Sequence, residues 1–243
     1  MYRKRVLITG AGQGVGKRLV QRFNEGGAII LALDKNAETI ELLTKEFPNV
    51  VARVVDITDW DATKKAIESF GNVDHVVNNA AVVMPQKLME VTRETALLHF
   101  EVNTFASINI VQSAARGMIR RGTGGSIVNI SSVAAKSAAD SSSMYCASKA
   151  AVEMLTKSMA LELGPHNIRA NSISPGLIDS RWQKLNNPTV QQMVERFMQE
   201  TVIKRPIDPN EIADLVLFLL SPLSAMITGE NILIDGGRMC GIN

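Results

Sequence analysis

The hydrophobic pattern alternates along the chain between short β-branched runs and longer stretches in which apolar residues recur every three to four positions. Short runs of this kind are typical of buried strands, and the longer period is typical of helices. We predict strands at residues 5–9, 28–33, 50–55, 75–78, 126–131, 168–174 and 231–234. Because parallel strands need crossover connections, the helices between them predict a seven-stranded parallel sheet covered on both faces, the doubly wound α/β class.

The first predicted helix shows the helical period. Val15, Leu19 and Phe23 recur every four residues, so they line one face of a helix that packs on the sheet. Gly26 and Gly27 follow, and glycines at this point are typical of a helix end. The pattern therefore predicts a strand–turn–helix unit at the start of the chain.

The domain organisation is simple. The chain has no internal repeat, low-complexity tract or flexible linker, so we expect a single domain that comprises residues 1–243. Residues 179–209 form a polar stretch with scattered apolar side chains, longer than an ordinary connection between elements. Long insertions in α/β enzymes often cover a site, and we expect this one to be a mobile substrate lid.

Composition and charge exclude several classes of function. The 243 residues are 46% hydrophobic and carry a formal net charge of +2, with basic residues scattered along the chain, which argues against nucleic-acid and anionic-lipid partners. No apolar run approaches the roughly 18 to 20 residues that span a bilayer. Neither the two cysteines nor the three histidines have the spacing of a metal site. We expect a soluble, cytoplasmic protein with no membrane partner and no metal.

Glycines cluster directly after the first predicted strand, where the first helix begins. Gly10, Gly14 and Gly16 allow a tight turn whose backbone N–H groups approach a pyrophosphate at the positive end of the helix dipole. A phosphate-binding P-loop does not fit, because Ala11 and Arg18 stand where that motif needs Gly and Ser or Thr. The alternative is a tight strand-to-helix turn that binds no ligand.

Acidic residues follow the second and third predicted strands at the same edge of the sheet. Asp34 lies about 20 residues into the unit, where a carboxylate accepts hydrogen bonds from the adenosine ribose hydroxyls and repels a 2′-phosphate. It favours NAD over NADP, although Lys35 beside it could attract a phosphate. Asp56 lies at the same edge and could meet the adenine. Each aspartate could instead cap the helix that follows it.

Candidate catalytic side chains lie further along the chain. Tyr145 and Lys149 are four residues apart in a strongly helical segment, so they share one face, and a neighbouring ammonium brings the pKa of a phenol closer to neutral. Ser131 and Ser132 end the fifth strand, where one of the two hydroxyls can reach a substrate carbonyl. Asn103 lies within the helical stretch 95–121, which it could open locally to hold a water.

Each of these candidates also has a structural alternative. Tyr145 and Lys149 could be an exposed surface pair, and Asn103 could be a polar residue in a packed helix. Taken together, however, the motifs resemble those of the short-chain dehydrogenase/reductases, in the family's order and at its spacing along the whole chain. The motifs are Thr9-Gly10-x-x-x-Gly14-x-Gly16, Asn78-Asn79-Ala80, Asn103, Ser132, Tyr145-x-x-x-Lys149, Ser174-Pro175-Gly176 and the glycine-rich stretch 229–237.

The resemblance implies a Rossmann fold, a homotetramer and a catalytic tetrad. In the tetrad Tyr145 is the general acid and base, Ser132 polarises the carbonyl, Lys149 lowers the pKa of Tyr145 and Asn103 holds a proton-relay water. The family's spacing of thirteen residues before the tyrosine selects Ser132 over Ser131. The same resemblance implies that the dinucleotide is contacted by Gln13, Val15, Asp34, Asp56, Ile57, Asn79 and Ile178 and that Lys149 also bonds the nicotinamide ribose.

Within this family the chain is most similar to the dicarbonyl/L-xylulose reductases, through Val82-Val83, residues 100–103, Ala115-Arg116-Gly117, Tyr145-Cys146 and residues 154–166. The resemblance implies that those reductases use NADPH and carry basic residues in the glycine turn and after the second strand. This chain instead has Gln13 in the turn, and Asp34 precedes Lys35. We therefore expect an NAD-dependent exchange between a secondary alcohol and a ketone, on a polyol, sugar or α-dicarbonyl of the xylitol/L-xylulose type.

Three other functions remain open. The first is an NADPH-dependent carbonyl reductase, which would follow if Lys35 outweighed Asp34. The second is a ketoacyl or steroid reductase, which differs from our expectation only in the lid and pocket. The third is a dinucleotide sensor without catalysis, against which the complete tetrad argues.

Overall fold

The computed structural model describes residues 1–179 and 188–241. Its strands are β1 (Arg5–Thr9), β2 (Ile29–Asp34), β3 (Val51–Val54), β4 (His75–Asn78), β5 (Gly125–Ile130), β6 (Ile168–Pro175) and β7 (Asn231–Ile234). They form one seven-stranded sheet in the order β3-β2-β1-β4-β5-β6-β7, and every neighbouring pair is parallel. The predicted fold class is confirmed, and the strand ends agree with the predicted ones to within one residue.

Helices connect the strands and cover both faces of the sheet. They are α1 (Gly14–Glu25), α2 (Ala37–Glu46), α3 (Trp60–Phe70), α4 (Arg93–Phe100), α5 (Ala106–Arg121), α6 (Ser143–Leu163), α7 (Pro188–Glu200) and α8 (Pro209–Leu220). No helix among residues 1–179 and 188–241 is long and apolar enough to cross a membrane.

Two hydrophobic cores lie on opposite faces of the sheet, because successive side chains of a strand point to opposite sides. On β1, Val6 and Ile8 belong to the core that α1 and α8 complete, and Phe23 of α1 is fully buried there. Leu7 belongs to the other core, with Phe70 of α3 and side chains of α5. The short apolar runs of the sequence reflect this burial on both faces.

The strand order reverses between β1 and β4. The chain passes outward from β1 to β2 and β3, then returns to place β4 on the other side of β1. The connecting helix next to β1, α1, and the connecting helix next to β4, α5, cover opposite faces, so a crevice opens between the carboxyl ends of β1 and β4. The glycine turn after Thr9 and the Asn78-Asn79 pair both lie at this crevice.

One helix differs from its prediction. The sequence pattern predicts a continuous helix over residues 95–121, whereas the structure has α4 and α5 joined by a π-helical turn, Glu101–Phe105. Asn103 lies in the middle of this turn. Single π-helical turns are common at functional sites. The helix is therefore locally widened at Asn103, and a catalytic role for this residue stays a prediction.

The segment predicted as a lid is described only in part. Residues 180–187 lie outside the described residues, and α7 follows them. The end of α7 contacts the last part of the chain, where the guanidinium of Arg238 lies 4.2 Å from the ring centre of Phe197 and hydrogen-bonds to Glu200 at 2.6 Å. That 179–209 acts as a mobile lid remains a prediction.

The amino-terminal edge of the sheet carries a buried histidine. His75 begins β4, is 8% exposed, and its Nδ1 has no hydrogen-bond partner. Burial lowers the pKa of His75 from 6.5 to about 4, although the negative charge of Asp74 acts in the opposite direction. Between these two pH values His75 is protonated in the unfolded chain and neutral in the folded chain. The folded state therefore becomes less stable as the pH falls through this range.

We expect the free energy of unfolding to decrease by about 3 kcal/mol between pH 6.5 and pH 4 through this one group. Urea unfolding at several pH values measures the effect. In the variant His75→Leu the free energy of unfolding should decrease by that much less between the same two pH values. The exposed His166 supplies the matched control, His166→Leu. Parallel curves for wild type and His75→Leu would contradict the prediction.

Candidate active site

The glycine turn has the backbone shape that the sequence predicts. Gly10 has φ +63°, which side-chain-bearing residues rarely adopt, and a Cβ there would lie 2.9 Å from the Cα of Ala80. A Cβ on Gly16 would overlap the carbonyl oxygen of Gly10. These two positions need glycine because the turn, β4 and the start of α1 pack against one another.

The amino terminus of α1 is open toward the crevice. Gln13 precedes the helix in an extended conformation, and its side chain makes no capping hydrogen bond. Within the described part of the chain, no carboxylate lies in the first turn of α1. The free N–H groups and the positive end of the helix dipole form a site that suits the pyrophosphate of a dinucleotide.

Asp34 faces the glycine turn. Its Oδ2 accepts a hydrogen bond from the backbone N–H of Gly12 at 2.9 Å, and its Oδ1 accepts one from the N–H of Asn36 at 3.0 Å. The side chain that caps α2 is that of Asn36, which accepts from Thr39. The alternative that Asp34 caps the next helix is therefore wrong, and the carboxylate faces the glycine turn. Its contact with a ribose stays a prediction.

Asp56 closes a local turn at the end of the third strand. Its Oδ1 accepts hydrogen bonds from the backbone N–H and the hydroxyl of Thr58, at 3.0 and 2.8 Å. The N–H of Thr58 is the main reason that the pKa of Asp56 is lowered, and the positive charge of Lys35 adds to the effect. The cap of α3 is Asp59, so the capping alternative is wrong for Asp56 as well.

A cleft of about 270 Å³ joins these groups. Its lining includes many of the predicted dinucleotide contacts, namely Gly10, Gln13, Asp34, Lys35, Asp56, Ile57 and Asn79. Gly14, Val15 and Gly16 form the first turn of α1. Ile178 lies beyond β6, where it pairs with Ile207. Most of the predicted cofactor residues thus converge on one crevice.

Asn79 holds the glycine turn in place. Its Nδ2 donates to the carbonyl oxygens of Thr9 and Gly10, at 2.9 and 3.1 Å, and its backbone N–H donates to the hydroxyl of Thr9 at 3.1 Å. The amide therefore links the carboxyl ends of β1 and β4. Any contact that Asn79 makes with a dinucleotide comes in addition to this supporting role.

The residues of the proposed tetrad lie at the carboxyl end of β5 and on α6. The hydroxyl of Ser132 lies near that of Tyr145 and lowers the pKa of the phenol. Lys149 is 2% exposed, and its Nζ donates to the carbonyl oxygen of Ile130 at 2.7 Å and lies 5.9 Å from the ring centre of Tyr145. The structure thus places three predicted tetrad members together.

The two serines after β5 have different surroundings. Ser131 is buried, and its hydroxyl donates to the backbone of Lys149 at 3.1 Å. Ser132 is half-buried, accepts from the N–H of Ala134 at 3.1 Å, and contacts Tyr145. A substrate carbonyl can approach the second hydroxyl and not the first. Geometry and family spacing therefore favour the same serine.

The pKa of Tyr145 depends on burial as well as on neighbouring groups. Burial raises the pKa of this phenol, and the nearby hydroxyl of Ser132 lowers it only in part. Lys149 directs its Nζ to the backbone of Ile130, and burial lowers the pKa of the Lys149 ammonium to about 8. In the protein without a dinucleotide, desolvation is the largest influence on the pKa of Tyr145, and the lowering of this pKa by Lys149 stays a prediction.

Asn103 connects the tetrad to the cleft. Its Oδ1 accepts from the N–H of Val82 at 2.8 Å, and its Nδ2 donates to the carbonyl of Val82 at 3.1 Å and to the hydroxyl of Ser148 at 3.0 Å. Val82 lines the cleft, and Ser148 precedes Lys149 on α6. The amide is buried and its hydrogen bonds go to protein groups, so the network agrees with the structural alternative for Asn103 as well as with a role in the tetrad.

A small internal cavity of about 10 Å³ lies beside Asn103. Asn78 and Asn129 also line it, and the Oδ1 of Asn78 is buried without a partner. This volume and lining suit about one water molecule. A water held near Asn103 remains a prediction.

Sequence reasoning missed the backbone groups that complete the site. The carbonyl of Ile130 and both backbone groups of Val82 make the bonds just described, yet no side-chain pattern marks a backbone partner. Ser148 was missed as well. Ser148 stands between Tyr145 and Lys149 in the sequence, and this position could have indicated that it lies near the tetrad.

Comparison with known proteins gives a consistent result over nearly the whole chain. A family model described as enoyl-(acyl carrier protein) reductase matches residues 10–238. An L-xylulose reductase of Mesocricetus auratus is 40% identical over 234 residues, 96% of this chain and 96% of the relative. Carbonyl reductase (NADPH) 2 of Sus scrofa is 35% identical over 237 residues, 97% of this chain and 96% of the relative.

A solved structure with the same fold is a gluconate 5-dehydrogenase from Burkholderia cenocepacia in complex with NADP and tartrate. It superposes with a TM-score of 0.92 at 29% sequence identity, and the match covers 100% of this chain and 97% of that chain. Full-length relatives at up to 40% identity, together with the crevice and the tetrad geometry, settle the family. The chain belongs to the short-chain dehydrogenase/reductase family, whose members are oxidoreductases that use NAD(P).

Proposed function

We propose that this oxidoreductase uses NAD(H) to interconvert a secondary alcohol and a ketone. The observation that carries the cofactor preference is the carboxylate of Asp34, 2.9 Å from the N–H of Gly12. A carboxylate at this place accepts hydrogen bonds from ribose hydroxyls and repels a 2′-phosphate. The open amino terminus of α1 and the 270 Å³ cleft suit the remainder of the dinucleotide.

The residues of the tetrad perform the proton transfer in this proposal. When bound, the nicotinamide supplies or accepts the hydride. Ser132 holds the substrate oxygen by a hydrogen bond, and Tyr145 gives its proton to that oxygen during ketone reduction or takes one during alcohol oxidation. Lys149 fixes the geometry by its bond to Ile130. Asn103 keeps the cleft segment at Val82 against α6.

The proposed substrates are polyols, sugars and α-dicarbonyls. Support comes from the L-xylulose reductase and the carbonyl reductase to which the chain is similar. Absorbance at 340 nm tests the proposal directly, with purified protein, NAD⁺ or NADH, and a panel of C4 to C6 polyols, ketoses and dicarbonyls. Turnover on at least one member of the panel with NAD(H) is expected. Dinucleotide binding without turnover on any panel member would favour the sensor.

The cofactor preference yields a prediction for Asp34. The variant Asp34→Ser should shift the ratio of kcat/KM for NAD(H) to that for NADP(H) toward NADP(H) by about tenfold or more, because it removes the charge that repels the 2′-phosphate. Asp59→Ser is a matched control, since Asp59 only caps α3. An unchanged ratio in Asp34→Ser would mean that the carboxylate does not meet the ribose.

An NADPH-dependent carbonyl reductase is the second candidate. The exposed Lys35 lines the same cleft as Asp34 and could pair with a 2′-phosphate. The carbonyl reductase relative is named for NADPH, and the gluconate dehydrogenase structure holds NADP. If Lys35 dominates, the preference reverses and carbonyl reduction becomes the favoured direction. A ketoacyl or steroid reductase would differ in the lid.

The homotetramer that the family resemblance implies is kept as part of this proposal. The outer face of α6 exposes Met154 and Leu161, at 63% and 80%. Apolar side chains of this size on one helix face supply contact surface for a second copy of the chain.

A further inference from the structure

We propose that Glu153 is a positioning residue that fastens two walls of the candidate active site to α6. One wall is the turn that follows Ser132, and the other is the end of β6. The inference rests on the proposed function, because it concerns the same site, and it adds a residue to which neither the sequence motifs nor the comparisons give a role.

Glu153 lies on the helix that carries the tetrad. It comes four residues after Lys149 and eight after Tyr145, a spacing that places the three side chains along one side of α6. Its side chain is only 14% exposed. A carboxylate in such a position is costly unless its oxygens are paired. Both oxygens are paired, and each pairs with a different wall of the site.

The first contact reaches the turn after Ser132. The Nζ of Lys136 lies 3.0 Å from the Oε2 of Glu153. Lys136 directly follows the short helical turn Val133–Ala135, which begins directly after Ser132. The pair is partly shielded from solvent, with 34% of the lysine side chain exposed. This contact fixes the segment that presents the Ser132 hydroxyl to Tyr145.

The second contact reaches the end of β6. The hydroxyl of Ser174 donates to the Oε1 of Glu153 at 2.8 Å, and Ser174 is fully buried. Ser174 in turn accepts from the Nδ2 of Asn231 on β7 at 2.9 Å. The chain leaves the sheet just after Ser174 and runs to Ile178, which the family resemblance places against the dinucleotide. This contact therefore holds the wall on the cofactor side.

The two contacts can be separated by substitution. Glu153→Gln keeps an oxygen that accepts from Ser174 but loses the charge that attracts Lys136. Lys136→Met removes the first contact alone, and Ser174→Ala removes the second. Glu153→Leu removes both. Glu162→Gln and Lys157→Met are matched controls, because Glu162 and Lys157 are exposed on the same helix.

The experiment measures three quantities for each variant: kcat and KM on the substrate identified with the panel, the dinucleotide Kd by fluorescence titration, and the urea midpoint. We expect Glu153→Gln and Lys136→Met to lower kcat by about tenfold with little change in Kd, since a small displacement of a reacting group is costly. We expect Ser174→Ala to raise the dinucleotide Kd by about fivefold. Glu153→Leu should show both effects, and Glu153→Gln should restore the Kd that Glu153→Leu loses.

Two other outcomes overturn the inference in distinguishable ways. If all four variants shift only the urea midpoint and keep the wild-type kcat and Kd, Glu153 stabilises the fold and does not position the site. If kcat and Kd change together in every variant to the same extent, the two contacts have no separate roles. A wild-type protein that neither binds a dinucleotide nor transfers hydride would instead refute the proposed function, and the inference would fail with it.

Discussion

Replacement of Tyr145 by phenylalanine is expected to lower kcat by about 10²- to 10⁴-fold, the range typical of a lost general acid or base. Phenylalanine keeps the ring and its packing at this half-buried position and removes only the hydroxyl that contacts Ser132. The dinucleotide Kd should therefore change little. Steady-state kinetics and a fluorescence titration on the same preparation measure the two effects.

The two directions of the reaction should respond oppositely to pH. Burial raises the pKa of Tyr145, so the phenol keeps its proton at neutral pH. Ketone reduction needs this proton, and its rate should fall as the pH rises toward the pKa of the tyrosine. Alcohol oxidation needs the deprotonated form, and its rate should rise with pH over the same range. Tyr145→Phe should lack both dependences.

The chain provides a matched control for the tyrosine. Tyr2 is the other of its two tyrosines and is 76% exposed. Tyr2→Phe should keep wild-type kinetics and the wild-type pH dependence. Turnover by Tyr145→Phe at the level of Tyr2→Phe would refute the assignment of Tyr145 as general acid and base.

Replacement of Lys149 by methionine is expected to lower kcat by about 100-fold or more and to weaken dinucleotide binding as well. Methionine has a similar length and fills the space of the buried lysine stem. It removes the ammonium and leaves the carbonyl of Ile130 without the bond that spans 2.7 Å in the wild type. The lysine should thus affect both measurements, whereas the tyrosine affects one.

This contrast between the two variants tests the division of roles within the tetrad. The exposed Lys157 lies eight residues further along α6, and Lys157→Met controls for the loss of one positive charge from the helix. We expect wild-type kcat and Kd for this control. If Lys149→Met lowers kcat but leaves the Kd unchanged, the lysine does not contribute to dinucleotide binding.

Much of the fold could be predicted because its signals are local. The short apolar runs predict the strands, since strands buried on both faces carry few polar residues. Glycine at positions 10 and 16 indicates the turn, and both prove sterically necessary. The π-helical turn at Asn103 could be predicted only in part. Helix propensity identifies the asparagine as unfavourable, but it does not indicate the π-helical turn that accommodates it.

The site was predictable where side chains act through sequence spacing and not where they act through long-range contacts. Tyr145 and Lys149 are four residues apart, so a helical period brings them together. The balance between burial and charge that raises the pKa of Tyr145 depends on packing, which the sequence does not give. Glu153 contacts Lys136 and Ser174, which are 17 and 21 residues away in the sequence. No sequence motif indicates contacts of this kind.

The orientation of Asp34 distinguishes between two interpretations that the sequence leaves open. An aspartate after a strand can cap the next helix or face a ligand, and both fit the same local pattern. The neighbour Asn36 caps α2, which leaves the carboxylate of Asp34 for the glycine turn. The proposed preference for NAD(H) depends on this placement.

A paired titration of the wild-type protein with NADH and NADPH, at one fixed salt concentration, tests the central claim most directly. It needs no knowledge of the substrate. The ratio of the two Kd values reports directly on the charge that faces the 2′-position of the ribose. We expect tighter binding of NADH, by about tenfold or more, because Asp34 repels the 2′-phosphate. Tighter binding of NADPH would contradict it and would make Lys35 the dominant charge.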